Sequence, residues 1–235
     1  MTNWVKKLDT PKITEDHKHY EPYFHIEIPN GVDSDDIKLL HSRYLKDAYW
    51  QGEYEGNLTT PDEKSDLEKV KWVRSKEEGG NWGMFNFDHW SNFTNDEWLK
   101  EMFDHFKVKW PGKVYTQVEC AMHGKGTRLV VHNDGPIEDG EVTTTFRQAF
   151  LQHGVHMTGC ITQHIYVLGT DQYPESGMQM HYSDYDNRNL KPVKQVKALP
   201  GSYVVFRNTS NSYHSVPKQE VEFPRMLVNM RTFWA

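Results

Sequence analysis

Two cysteines, Cys120 and Cys160, are all the chain has, too few for a disulfide framework, and both are expected as free thiols. No run of about 18 apolar residues occurs, which excludes a membrane-spanning helix at the level of sequence. Lys6 and Lys7 are followed by no apolar stretch. This predicts a chain without a secretory leader, working in the cytoplasm, and makes the Asn-x-Ser/Thr triplets at Asn57, Asn92 and Asn208 chance matches. An excess of positive charge is missing too. The 27 Lys and Arg stand against 33 Asp and Glu, a net charge of −6, which disfavours a protein that coats a phosphate backbone. Internal repeats and low-complexity tracts are also lacking. Apolar residues are scarce, at 37%, with a mean hydropathy of −0.80. The 8 Trp, 12 Tyr and 11 Phe offset that scarcity, because large rings build a core from few residues. What the chain has in abundance is histidine, 13 in 235 residues, and histidine is the commonest metal ligand.

A length of 235 residues suits one domain. Residues 1–22 are polar and punctuated by proline, and read as a surface arm. Phe24–Ile28 alternates apolar and polar residues as a short strand does. A helix is expected from Asp33, capped by Asp33 or Ser34, with Ile37, Leu40, Tyr44 and Ala48 on one face. Thr60-Pro61-Asp62-Glu63 and Thr94-Asn95-Asp96-Glu97 have the form of capping boxes. They predict helices to about Lys76 and about Lys107, so that 23–110 is mainly helical. After Pro111-Gly112 the character changes. The runs 114–122, 127–131, 159–168, 178–182, 193–199, 202–206 and 225–233 are short, β-branched or aromatic, and separated by turn residues. The expected class is therefore α+β, with N-terminal helices packed as a buttress on a β-rich barrel over 111–235.

Within that barrel, Val131-His132-Asn133-Asp134-Gly135 places a histidine and a carboxylate two residues apart, on one face of a strand. One imidazole and one carboxylate suit divalent Fe, Mn or Zn, and a second histidine completes the facial triad of non-haem iron oxygenases. Alone the pair is a weak signal, since Asn-Asp-Gly is also good turn chemistry. Further on, His214 follows a polar loop, and Arg225 stands eleven residues beyond it at the head of an apolar run. An arginine near a metal can clamp a carboxylate through paired hydrogen bonds.

The ordered set His132-x-Asp134, His214 and Arg225 resembles the Fe(II)- and 2-oxoglutarate-dependent dioxygenases of the double-stranded β-helix (jelly-roll, cupin-like) fold, in particular the prolyl 4-hydroxylase-like branch. Gly126, six residues before His132, matches that branch's glycine turn, and Ile161–Val167 is similar to its central strand with a tyrosine, here Tyr166. Glu175-Ser176-Gly177-Met178 resembles its next glycine turn. The likeness covers about 114–233, and small oxygenases of marine phages and bacteria look similar overall. The resemblance implies Fe(II) on His132, Asp134 and His214, with 2-oxoglutarate and O2 as co-substrates and ascorbate as a possible further requirement. It implies that Arg225 pairs with the distal carboxylate of oxoglutarate, with Arg231 on the same strand face as a rival and Tyr166 as a further contact. The reaction implied is hydroxylation of a peptidyl proline, a free amino acid or another small metabolite, with release of succinate and CO2. Asp134 favours hydroxylation, because related halogenases leave that position to a halide. The branch's tyrosine about ten residues before the first ligand has no counterpart, as Met122-His123 stands there instead. The stretch 135–159 is long for the branch and reads as a lid or substrate loop.

Plainer readings stand beside these. The triad could be three unrelated polar residues, and Tyr166 an ordinary core tyrosine. His123, His164 and His181 read as structural, the aromatic stretch Trp82–Phe93 as core, and His153 and His156 as loop residues without zinc-protease spacing. Outside His132 and His214 the remaining eleven histidines show no ligand spacing. Two other functions compete: a jelly-roll binding module without catalysis, and an oxidative demethylase of nucleic acid, the latter disfavoured by the acidic balance. A small-molecule or peptide partner is expected, with no membrane and no nucleic acid.

Overall fold

The structure, a computed structural model, describes residues 7–47, 49–51, 58–59, 81–84, 90–123, 125–126, 128–134, 158–168, 176–183, 190–220 and 225–234. Among these the chain runs through a 3-10 turn (Glu15–His17), β1 (Lys18–His19), β2 (His25–Ile28), α1 (Ser34–Asp47), β3 (Tyr49–Gln51), β4 (Leu58–Thr59), β5 (Asn81–Met84) and α2 (Asp96–His105). It continues with β6 (Val114–His123), β7 (Leu129–His132), β8 (Gly159–Leu168), β9 (Gln179–Tyr182), β10 (Lys191–Gln195), β11 (Tyr203–Arg207), β12 (His214–Val216) and β13 (Arg225–Trp234).

The strands form two sheets, a large one in the order β1-β2-β11-β8-β13-β6-β5-β3-β4 and a small one in the order β10-β9-β12-β7. The described pairings are antiparallel throughout. Alternation along the long central strands sorts their side chains into two cores. On one side of the large sheet, Ile161, Ile165, Val167, Met226, Val228, Met230 and Trp234 pack against Ile37 and Leu40 of α1 and Trp98, Leu99, Met102 and Phe103 of α2. On the other side, Ala121, Tyr166, Val204, Phe206 and Leu227 meet Met178, Met180, Val196 and Ala198 of the small-sheet side. The helices thus cover one face of the large sheet, and the small sheet covers the other.

The described residues are mostly β-sheet with few helices, and those helices pack on one sheet as expected. Two of the expected helices are present, and the one expected from Thr60 lies outside the described residues. The span 23–110 also supplies β2 to one side of the large sheet and β3, β4 and β5 to the other. Apart from β2 these are two- to four-residue strands, too short for alternation to mark them. At α1 the carboxylate of Asp33 accepts from the Asp35 amide at 2.8 Å, so Asp33 is the cap. At α2 the cap is Asn95, whose side chain accepts from the Trp98 amide at 2.8 Å, and not Thr94. The Thr94 hydroxyl instead donates to the Trp90 carbonyl at 3.3 Å, closing the turn ahead of the helix.

One polar knot ties α2 to the sheet. Gln163 on β8 is fully buried, and its Oε1 accepts from the Tyr203 hydroxyl at 2.6 Å and the Trp98 indole N–H at 3.1 Å. Gln163→Leu keeps the volume but strands two buried donors, at a cost of about 2–4 kcal/mol. Urea unfolding of the variant against wild type reads that loss, and an unchanged midpoint would show that the knot adds nothing.

Candidate metal and carboxylate site

The small sheet brings the three expected ligands together. His132 ends β7 and His214 begins β12, and the two are directly opposed in the ladder. Their rings lie 4.4 Å apart between centroids. Asp134 sits in a bend two residues past His132, beyond the end of β7, rather than within a strand. Its two oxygens face one imidazole each, Oδ1 at 3.7 Å from His132 Nε2 and Oδ2 at 3.7 Å from His214 Nε2. One potential ligand atom from each residue falls within 4.8 Å of the other two.

The rings are aimed from behind. His132 Nδ1 lies 2.7 Å from the Val130 carbonyl, and His214 Nδ1 lies 3.0 Å from the Ser212 carbonyl. A carbonyl only accepts, so each Nδ1 carries the proton and each Nε2 keeps its lone pair toward the centre. That backing fixes tautomer and ring orientation as outer partners of metal-bound histidines do. Burial and the neighbouring His132 push His214 down to about 4, so its ring is neutral, the form that ligates. Burial alone would raise Asp134, but Arg231, His214 and His132 outweigh it and hold the carboxyl well below the ordinary range. Two imidazoles and one carboxylate fit Fe(II), Mn(II) or Zn(II).

The two arginines of β13 are placed differently. Arg231 is half-buried; its Nη1 donates to Glu119 at 3.1 Å, and its Nη2 donates to Asp134 Oδ1 at 3.5 Å. Arg225 is 2% exposed, and its Nε and Nη1 find no hydrogen-bond acceptor among the described residues. Its guanidinium carbon lies 5.2 Å from the centroid of the Tyr166 ring, and the buried Tyr166 hydroxyl likewise has no partner among the described residues. Both arginines share the inner face of β13 with Leu227 and Asn229. His164 links them to the triad: it packs edge-on against Phe206 at 5.6 Å, Phe206 packs against His214 at 5.1 Å, and His164 feels the charges of Arg225, His214, Asp134 and Arg231. The triad and Arg225 therefore face one interior.

Other residues singled out in the sequence fall as follows. Gly126 adopts φ +85°, a left-handed turn that favours glycine, and its amide donates to Gln219 O at 2.7 Å. His123 is buried on the inner face directly across from Arg225. His181 bonds Ser215 at 2.8 Å, Trp90 and Phe93 are core, and both cysteines are buried free thiols. The lid expected at 135–159 lies outside the described residues except at its end. The chemistry-bearing residues that sequence reasoning missed are Glu119, which partners Arg231, and the set His19, His25 and Glu27. His25-x-Glu27 carries the same signal as His132-x-Asp134.

No family model matches the sequence. No curated protein sequence matches it either. Solved structures do match in shape. A viral collagen prolyl hydroxylase from Paramecium bursaria Chlorella virus-1, in complex with 2-oxoglutarate, superposes with a TM-score of 0.53 at 10% identity, over 92% of this chain and 98% of that one. A Pseudomonas putida prolyl-4-hydroxylase gives 0.52 at 13% identity, over 88% and 91%. EvdO2 from Micromonospora carbonacea var. aurantiaca, complexed with 2-oxoglutarate, gives 0.54 at 9% identity, over 97% and 94%. The chain has the 2-oxoglutarate oxygenase fold. Among the described residues no helix is long and apolar enough to cross a membrane.

The interior sets a pH dependence. Burial, and secondarily Arg225, hold His123 and His164 well below the usual histidine range. The unfolded chain therefore binds more protons than the folded one once pH falls below about 6.5. Stability is full above that value and is lost as pH drops, by about 1.4 kcal/mol per pH unit for each ring until its folded value is reached. Denaturant unfolding of metal-free protein at pH 7.5, 6.5 and 5.5 measures the slope. His164→Gln is expected to flatten it, and equal slopes would mean that the ring charges freely in the folded state.

Proposed function

We infer that the protein is an Fe(II)- and 2-oxoglutarate-dependent dioxygenase that hydroxylates a C–H bond. The reading takes the two facing sheets as a double-stranded β-helix holding the site. What carries it is a buried guanidinium whose Nε and Nη1 have no acceptor among the described residues, in the same interior as a two-histidine, one-carboxylate cluster. A cation taken out of water without a counter-ion is strongly disfavoured, so Arg225 calls for an anion at that place. A dicarboxylate with one end on a metal and the other on Arg225 answers both features.

In this reading His132, Asp134 and His214 hold Fe(II), and Arg225 takes the distal carboxylate of oxoglutarate. The Tyr166 hydroxyl, unpaired beside Arg225, is placed to donate to the same carboxylate. His123 faces Arg225 across the ladder, where it can take over the contact that the resembled branch assigns to a tyrosine. Arg231 is already engaged by Glu119 and Asp134, which leaves Arg225 as the clamp. When bound, iron together with oxoglutarate and O2 would supply the oxidant for hydrogen abstraction, one oxygen atom going to the substrate and the other to succinate, with CO2 released. Asp134 occupies the position that a halide would need, so hydroxylation is the expected outcome. The substrate is read as a peptidyl proline, from the prolyl hydroxylases of like fold, or as an amino acid or other small metabolite. Glu119, Asn229 and Arg231 line the inner face of the large sheet beside the triad and would meet its polar groups.

Anaerobic addition of Fe(II) and oxoglutarate is expected to give a visible charge-transfer band that Asp134→Ala and His214→Ala abolish. Arg225→Leu removes paired, charge-assisted hydrogen bonds worth about 1.5–3 kcal/mol, so the oxoglutarate KM rises about 10- to 150-fold, with partial rescue in Arg225→Lys. No band, together with no conversion of oxoglutarate to succinate, would sink the reading.

A further inference from the structure

The small sheet's ligand layout is repeated at the far edge of the large sheet. In the triad, a histidine and a carboxylate stand two residues apart, and a second histidine lies directly across the ladder from the first. In the hairpin of β1 and β2, His25 and Glu27 stand two residues apart, and His19 lies directly across from His25. Here too one potential ligand atom from each residue falls within 4.8 Å of the others. The backing of the ring is also the same. His25 Nδ1 lies 2.8 Å from the carbonyl of Tyr23, two residues earlier, as His132 and His214 do with Val130 and Ser212.

That backing has a consequence. The Tyr23 carbonyl can only accept, so Nδ1 carries a proton, and the other nitrogen of the ring, Nε2, lies 3.0 Å from Glu27 Oε1. A lone pair against a carboxylate oxygen is repulsive, so something positive must stand between them, either a second ring proton or a metal ion. Two ligands each about 2.0–2.1 Å from one zinc ion lie about 2.9–3.4 Å apart, which spans the observed separation. His19 stacks on His25 with centroids 5.1 Å apart and is half-buried, so the cluster is open to solvent for an ion to enter. Across from it, on the small sheet, Lys194 places its ammonium 2.9 Å from the same Glu27 oxygen.

We propose that His19, His25 and Glu27 form a second divalent-cation site, of the zinc class, that clips β1 to β2 in the N-terminal hairpin. Two histidines and a carboxylate are a zinc donor set, with the remaining position left to solvent. The Lys194 ammonium occupies the carboxylate in the cation-free protein and competes with the ion. The site owes nothing to the Asp134 cluster and stands or falls apart from the oxygenase reading.

Titration of the metal-free full chain with Co(II) alone, followed by its visible absorption and by calorimetry, tests it. Wild type is expected to take up two equivalents, Asp134→Ala one, and Asp134→Ala with His19→Ala none. His19 is half-buried on a two-residue strand, and circular dichroism checks that the double variant keeps its fold. Lys194→Gln, added to Asp134→Ala, should tighten the remaining equivalent by removing the competitor. An Asp134→Ala chain that binds no Co(II), or binds it equally with and without His19, overturns the proposal, as does an affinity unmoved by Lys194→Gln. One equivalent in wild type that His19→Ala removes and Asp134→Ala leaves would keep this site and sink the triad instead.

Discussion

Strand β13 is buried on both faces, and the alternation of its side chains decides what each side of the molecule becomes. Met226, Val228, Met230 and Trp234 face the helices and make that side a dry core. Arg225, Asn229 and Arg231 share the face toward the small sheet and make it polar, with Leu227 and Phe233 as the apolar exceptions. A one-residue slip would exchange the two sets, putting arginines against Phe103 and Met102. Ten registered pairs with β6 and a second ladder with β8 hold it in place. The site depends on that register more than on any single contact within it.

The consequence is an uneven pair of cores. Among the described residues the helix-side cluster has twenty-five members and the cluster between the sheets nine. The larger core supplies most of the apolar burial, at roughly 25 cal/mol per Å² removed from water. The smaller one leaves room for ionisable groups, which burial keeps neutral in His123 and His164 and neighbouring cations keep charged in Asp134.

Most of the site was legible because its residues carry chemistry at short spacing. His132-x-Asp134 and the step from His214 to Arg225 needed only order and offset. Arg231 could not be separated from Arg225 by parity, since both lie on the same face. Only the fold distinguishes them, by supplying Glu119 and Asp134 to one and leaving Nε and Nη1 of the other without an acceptor among the described residues. The long strands were visible through alternation, with ends within a few residues. Short β3 to β5 carry no period, and β12 is three residues in a polar stretch. At α2, Thr94 and Asn95 are both good caps by side chain, and the carbonyls of Trp90 and Ser91 drew Thr94 away. His25-x-Glu27 passed as ordinary alternation because its third member lies earlier in the chain, across a hairpin that sequence does not reveal.

That hairpin also changes how the two sheets are seen to be joined. Large-sheet Arg231 reaches Asp134 beyond the end of small-sheet β7, and large-sheet Glu27 reaches Lys194 on small-sheet β10. Each link crosses from one sheet to the other at a histidine-carboxylate cluster, one at the β7 edge of the small sheet and one at its β10 edge. Beside the small apolar cluster between the sheets, these ionic links join them at both edges. They are half-buried, so water and salt screen them less than surface pairs. An ion bound at either cluster would draw on the same carboxylate that ties the sheets together.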